Sequence, residues 1–99
     1  PKQVSFNTKV MLVNFGKGEE MHCLNLLAKL RNANIPSEIY SDHDKLKKQF
    51  SYANNRGIPY VLIIGESEIA ANKVVLKNML TGEQKDIPEI ELITELLQA

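Results

Sequence analysis

The apolar and polar positions of this chain sort into two kinds of run. Tyr60-Val61-Leu62-Ile63-Ile64 is apolar without a break, and Lys9-Val10-Met11-Leu12-Val13-Asn14-Phe15 is nearly so. Neither alternates with polar residues, so each reads as a strand covered by protein on both faces, with helices flanking it on both sides. Gly57 stops the helix before the second run, and Pro59 fits only the first strand position because it donates no ladder bond. Gly65 ends that strand. After the first run, Gly16-Lys17-Gly18 breaks the pattern, and Glu19 and Glu20 open a helix with acids well placed on its dipole.

From Glu19 to about Asn32 the period is helical. Met21, Leu24, Leu27 and Ala28 mark one stripe, and Leu26 and Leu30 widen it into a face suited to a sheet. Ile35-Pro36 ends this helix, and Ser37 to Tyr40 reads as a short strand. Ser41-Asp42-His43-Asp44 offers a choice of N-caps for a second helix whose core positions are Leu46, Phe50 and Ala53. Its other positions, Gln49 and Tyr52 among them, read as exposed. Strand, helix, strand, helix, strand makes two successive βαβ units, which require parallel pairing and right-handed crossovers.

The pattern then changes. Glu66 to Asn72 is too brief for a full crossover helix, and Lys73-Val74-Val75-Leu76-Lys77-Asn78-Met79 reads as a strand. Leu80-Thr81-Gly82 is a turn and Glu83 to Ile87 a weak returning strand, which together predict an antiparallel hairpin. Pro88 suits the first position of a last helix, with Ile90, Ile93, Leu96 and Leu97 as its core face. The fold class is α/β with a mixed sheet.

Composition adds limits. Ninety-nine residues, 43% hydrophobic and 24% charged, fit one soluble globular domain with a modest core, and no apolar run is long enough to span a membrane. Twelve basic residues balance twelve acidic ones, so net charge alone decides nothing about a nucleic-acid partner. The distribution is uneven. Between Asp42 and Gly57 four cations face two acids, Lys73 to Lys85 holds three lysines and one glutamate, and Asp86 to Ala99 holds four acids and no base. A basic middle helix and hairpin can meet phosphates while the acidic last helix faces away. The single cysteine, Cys23, reads as a small buried hydrophobe in a reducing, cytoplasmic setting. Pro1 to Thr8 reads as a linker, with the domain running from residue 9 to 99, and the start at Pro1 reads as a cut from a longer chain.

Several chemistries are weighed and set aside. The turn from Asn14 to Gly18 has the context of a phosphate loop, but it lacks the third glycine of a dinucleotide site and the Lys-Ser/Thr ending of a triphosphate loop, so structural turn chemistry is preferred. His22 and Cys23 have no second pair at ligand spacing, so no metal site is expected. Nothing places Cys23 or Ser67 beside His43 as a nucleophile and base. Glu66 and Glu68 follow the central strand, where ligands bind in open α/β sheets, and carboxylates accept hydrogen bonds from base amines and ring N–H groups. Simple solvation is the plain alternative for both. Tyr52, off the core stripe, is a better candidate than Phe50 for stacking an unpaired base.

Arg56 to Glu68, Lys73 to Met79 and Thr81-Gly82-Glu83-Gln84 together resemble the C-terminal anticodon-binding domain of class II aminoacyl-tRNA synthetases, most closely that of the histidyl-tRNA synthetases. The resemblance covers about Lys9 to Leu97. It implies a three-layer α/β/α fold with a five-stranded sheet in order 2-1-3-4-5, strand 4 antiparallel, and the anticodon lying along the strand ends and hairpin. It also implies that Glu68 reads a base and that Lys77 lies near the anticodon. Asn72 replaces the family's usual glycine, and asparagine also tolerates left-handed geometry. The class II catalytic motifs do not occur in this chain, so ATP and magnesium would belong to a parent catalytic domain, and the parent would be a homodimer. The expected tRNA-binding set is Glu66, Glu68, Lys73, Lys77, Asn78, Tyr52, Lys48 and Asn14, with no cofactor in the domain itself. Two rival readings remain at this point: a synthetase-like regulatory subunit that no longer reads tRNA, and a small α/β domain binding a nucleotide or flavin at the same strand ends.

Overall fold

The computed structural model describes residues 8–42 and 45–98, the Lys17 side chain excepted. The expected linker up to residue 7, and with it His43 and Asp44, lies outside the described residues. Strand β1 (Val10–Leu12) is followed by helix α1 (Lys17–Asn32), strand β2 (Ser37–Ile39), helix α2 (Leu46–Asn55) and strand β3 (Tyr60–Ile63). A short helix α3 (Glu66–Ala70) leads into the hairpin of β4 (Lys73–Asn78) and β5 (Gln84–Pro88). A 3-10 turn (Glu89–Glu91) opens onto helix α4 (Leu92–Gln98). The five strands form one sheet in the order β2-β1-β3-β4-β5. β1 pairs in parallel with β2 and β3, whereas β4 is antiparallel to both β3 and β5. This is the strand order that the family resemblance implies.

Backbone geometry explains where the helices stop. At the end of α1, Asn34 takes a φ of 64° while its N–H bonds Arg31 O at 3.0 Å and that of Ile35 bonds Leu30 O at 3.0 Å. The same pair of bonds ends α2, where Gly57 has a φ of 70° and Ile58 N–H reaches Ala53 O at 3.0 Å. Both are Schellman motifs, which satisfy the last carbonyls and tuck the following apolar residue under the helix. Ile35 and Ile58 are each 2% exposed. The first stop therefore comes one residue before the expected Ile35-Pro36. Asn72 ends α3 with a φ of 55°, its N–H bonding Ile69 O at 3.2 Å.

The sheet is sealed unequally on its two faces. On one, α1, α3 and α4 pack Cys23, Leu26, Leu27, Leu30, Leu92 and Leu96 against Val10, Leu12, Leu62, Val74, Leu76 and Ile87, with Ile69 of α3 beside them. On the other, α2 lays Ala53, Leu46, Phe50 and Tyr52 over Met11, Val13 and Val61. Among the described residues no further helix covers that second face. Alternation along β4 records the difference, because Val74 and Leu76 are buried while Lys73, Val75 and Lys77 on the other side are half-buried.

Four expectations about packing are corrected. In α1 the buried stripe is Cys23, Leu26, Leu27 and Leu30, at i, i+3, i+4 and i+7, whereas Met21, Leu24 and Ala28 are exposed. The helix is apolar around much of its circumference, so two overlapping stripes compete, and the sheet selects the one containing cysteine. At the C-terminus, Pro88 closes β5 rather than opening α4, and the 3-10 turn shifts the helical phase. Ile90 and Leu97 are consequently exposed, and Leu92 joins Leu96 in the core. α2 starts with Lys45 at its N-cap and no side-chain cap, later than the proposed caps. Gln49, expected outside, is fully buried.

Candidate nucleic-acid interface

The chain crosses over β1 on its way from β2 to β3, so the strand order reverses between β1 and β3 and a crevice opens beyond their carboxyl ends. The residues leaving β1 there are Val13, Asn14, Phe15 and Gly16. Asn14 is 3% exposed. Its Nδ2 donates to Tyr40 O at 3.0 Å, and its Oδ1 accepts from Gly16 N–H at 2.9 Å. Buried Gln49 completes the arrangement by accepting from Asn14 N–H at 2.8 Å and donating to Asn14 O at 2.9 Å. An amide side chain thus continues the ladder where β1 has run out of strand partners, and the burial of Gln49 follows. Asn14 shapes the turn from beneath, with both polar atoms satisfied by the protein.

Across the crevice, β3 ends at Gly65. The Glu68 carboxylate turns back, with Oε1 accepting from Gly65 N–H at 2.8 Å and Oε2 from Ser67 Oγ at 3.1 Å. This is half of a capping box, and it fixes the carboxylate at the mouth of the crevice. A side chain at residue 65 would put its Cβ 3.1 Å from Glu68 Oε1 and 3.7 Å from the ring of Phe15. Glycine leaves room for the Glu68 carboxylate to close over the strand end, with the Phe15 ring at ordinary contact distance beside it. Glu66, two residues before Glu68 on α3, is exposed. Phe15, 41% exposed, stands at this crevice, in the turn from Asn14 to Gly18 that the sequence places after the first strand.

The half-covered sheet face carries the lysines. Lys73 Nζ bonds Asp86 Oδ2 across the hairpin at 2.8 Å. That hydrogen bond first, then the charges of Asp86 and Glu68, raises the ammonium above its usual value. Four residues further along β4, past Val75 on the same face, Lys77 sets its ammonium 4.5 Å from the centroid of the Phe50 ring. This cation–π contact ties β4 to α2 and holds the charge over the open sheet. At the far end of β4, Asn78 Oδ1 accepts from Leu80 N–H at 2.8 Å and Thr81 N–H at 3.2 Å, and Gly82 completes the turn with a φ of 81°. Asn78 therefore builds the hairpin tip. At about 3.3 Å per residue it lies about 17 Å along β4 from Lys73.

Tyr52 points toward the opposite edge of the sheet. Its hydroxyl donates to Glu38 Oε2 on β2 at 3.1 Å and accepts from Arg56, whose guanidinium carbon stands 5.3 Å above the ring. Tyr40 meets it edge to face at 5.2 Å. Burial first, then Glu38, pushes the phenol above its usual range. Lys48 is exposed on α2. The structure thus sets Glu68 near Lys73 at the β3 end, with Lys77 on the same face further along β4 and Glu66 exposed on α3. Asn78 closes that side at the hairpin, and Tyr52 sits over the β2 edge. Phe15, Gln49 and Phe50 join the site by tertiary contact, and the signal that could have shown Phe15 was its position between a strand end and a glycine turn.

Comparison with known proteins now places the chain. The family model for the anticodon binding domain matches residues 9–99. A histidine–tRNA ligase of Phocaeicola vulgatus is 46% identical over 93 residues, which cover 94% of this chain and 20% of that protein. One from Bacteroides fragilis (strain YCH46) is 44% identical over 96 residues, covering 97% and 21%. The crystal structure of histidyl-tRNA synthetase from Nostoc sp. PCC 7120 superimposes with a TM-score of 0.90 at 30% identity, over 93% of this chain and 22% of that one. The chain spans about a fifth of the length of the curated relatives it matches. Together with the sheet order and the two parallel strand ends, these likenesses show that the chain belongs to the anticodon-binding domain family.

Proposed function

We propose that this domain reads the anticodon of a histidine tRNA for a histidyl-tRNA synthetase of which it forms about one fifth. The observation that carries the reading is the 46% identity to a histidine–tRNA ligase across nearly the whole chain. Joining histidine to its tRNA with ATP and magnesium would then fall to the catalytic domain of the parent, working as a homodimer in the cytoplasm.

Within the domain, Glu68 and Glu66 present acceptors to the donor edges of unpaired bases, since a carboxylate pairs with exocyclic amines and ring N–H groups. Glu68 suits this role because its cap to Gly65 fixes the carboxylate before any RNA arrives. Lys77, Lys73 and the cations of α2, Lys48 included, balance the phosphates. Asn14 and Asn78 hold the crevice turn and the hairpin tip in shape. Tyr52 would stack a base only at the β2 edge, after loosening its contacts to Arg56 and Tyr40. Binding of the chain to the anticodon stem-loop of histidine tRNA, and to loops with exchanged anticodon bases, across a salt series tests the proposal. Base discrimination that shrinks in Glu68→Ala, over a negative salt slope, is the expected result, whereas equal affinity for all loops removes the reading role.

A further inference from the structure

We propose that Phe15 is the stacking platform of the strand-end crevice, and that one unpaired base lies on its ring with an N–H donor edge toward the Glu68 carboxylate. The inference rests on the tRNA-reading function proposed above and names the residue that would hold a base there. Phe15 leaves β1 at the point where the strand order reverses, and its ring is 41% exposed although the residues on either side of it, Asn14 and Gly16, are buried. The ring is not loose. Its edge packs over Gly65, at the position where any larger residue would place a Cβ 3.7 Å from it.

Glu68 Oε1 borders the same space, 3.1 Å from where a Cβ at residue 65 would lie, and is fixed by its bond from Gly65 N–H at 2.8 Å. Each carboxylate oxygen has a further lone pair to offer, since the capping bonds use one apiece. An aromatic face beside an immobilised acceptor is the combination that recognises a splayed base, with stacking on the ring and hydrogen bonding at the base edge. Tyr52 is a poorer platform because its hydroxyl, one edge and the space above its ring are engaged by Glu38, Tyr40 and Arg56.

The test compares the unaltered 99-residue chain with Phe15→Leu and Phe15→Tyr for binding to the anticodon stem-loop of histidine tRNA. Phe15→Leu keeps an apolar side chain and removes the π face, so affinity is expected to fall about tenfold, while Phe15→Tyr restores most of it. Thermal unfolding midpoints of the three chains should stay close together, given how exposed the ring is. Stem-loops abasic at each anticodon position in turn then locate the base, because Phe15→Leu adds no further loss on the loop that lacks it. In the unaltered chain, the ring protons of Phe15 should shift upfield when the loop is added. Equal binding by Phe15→Leu, or an unmoved ring resonance while the loop is bound, overturns the stack and leaves the anticodon-reading function standing. If the unaltered chain binds no loop at all, both are withdrawn.

Discussion

The two faces of the sheet are built from the same five strands and are covered differently. The face under α1, α3 and α4 gathers fourteen buried residues, from Val10 to Leu96, into one continuous core. The face under α2 gathers five, and leaves β4 and β5 showing Lys73, Val75, Lys77, Gln84 and Asp86. In β4 adjacent residues are divided between the two, with Val74 and Leu76 serving stability and Lys73 and Lys77 serving the surface. A chain of 99 residues has little core to spare, and concentrating it on one face leaves the other half-covered.

The comparison can be broken most forcefully at its centre. Leu62 is fully buried on the sealed face, and Leu62→Ala should lose about 2–5 kcal/mol of stability in chemical denaturation. Val75→Ala, half-buried on the open face, should lose distinctly less, and equal losses would show that the faces are not so divided. Gln49→Leu comes next, since it strands the N–H and C=O of Asn14 under α2, at a cost of about 1–3 kcal/mol. Lys77→Ala should leave stability within about 0.5 kcal/mol and reduce the salt slope of RNA binding by about 1. A changed melting temperature with an unchanged slope would reassign Lys77 to packing through Phe50.

The smallest effect is alkaline. Burial first, then Glu19, Glu89 and Glu20, pushes the Cys23 thiol up to about 11 from 9.0. The native chain thus holds this proton more tightly than the unfolded chain. Its contribution is fully present below pH 9 and is lost as pH rises through about 11. The raised values of Tyr52 and Lys73 act in the same direction. Stability should therefore decline on the alkaline side, and native Cys23 should resist a thiol reagent at pH 8, which labelling in the presence and absence of denaturant checks.

The elements, the parallel units and the hairpin were legible because period and punctuation act locally, through unbroken apolar runs, Gly57, Gly65 and Gly82, whereas the strand order followed only from the family resemblance. Glu68 was legible as a site candidate through its place after β3, but its cap on Gly65 was not, because that bond exists only once α3 forms. Gln49 was misjudged since a polar residue inside is defined by its partner, and the partner is the backbone of Asn14, 35 residues earlier. Ile90 and Leu92 exchanged places because one 3-10 turn changes the helical phase. Phe15 was legible as the end of the first apolar run, but its exposure depends on where β3 ends beside it.

The most direct test of the central claim is to map, residue by residue, the amide and side-chain resonances that move when the anticodon stem-loop of histidine tRNA is titrated into the chain. The account predicts movement along Phe15, Glu66, Glu68, Lys73, Val75 and Lys77, with Leu30, Leu92 and Leu96 beneath the sealed face unmoved. Perturbations centred on α1 and α4, with the open face silent, would contradict it.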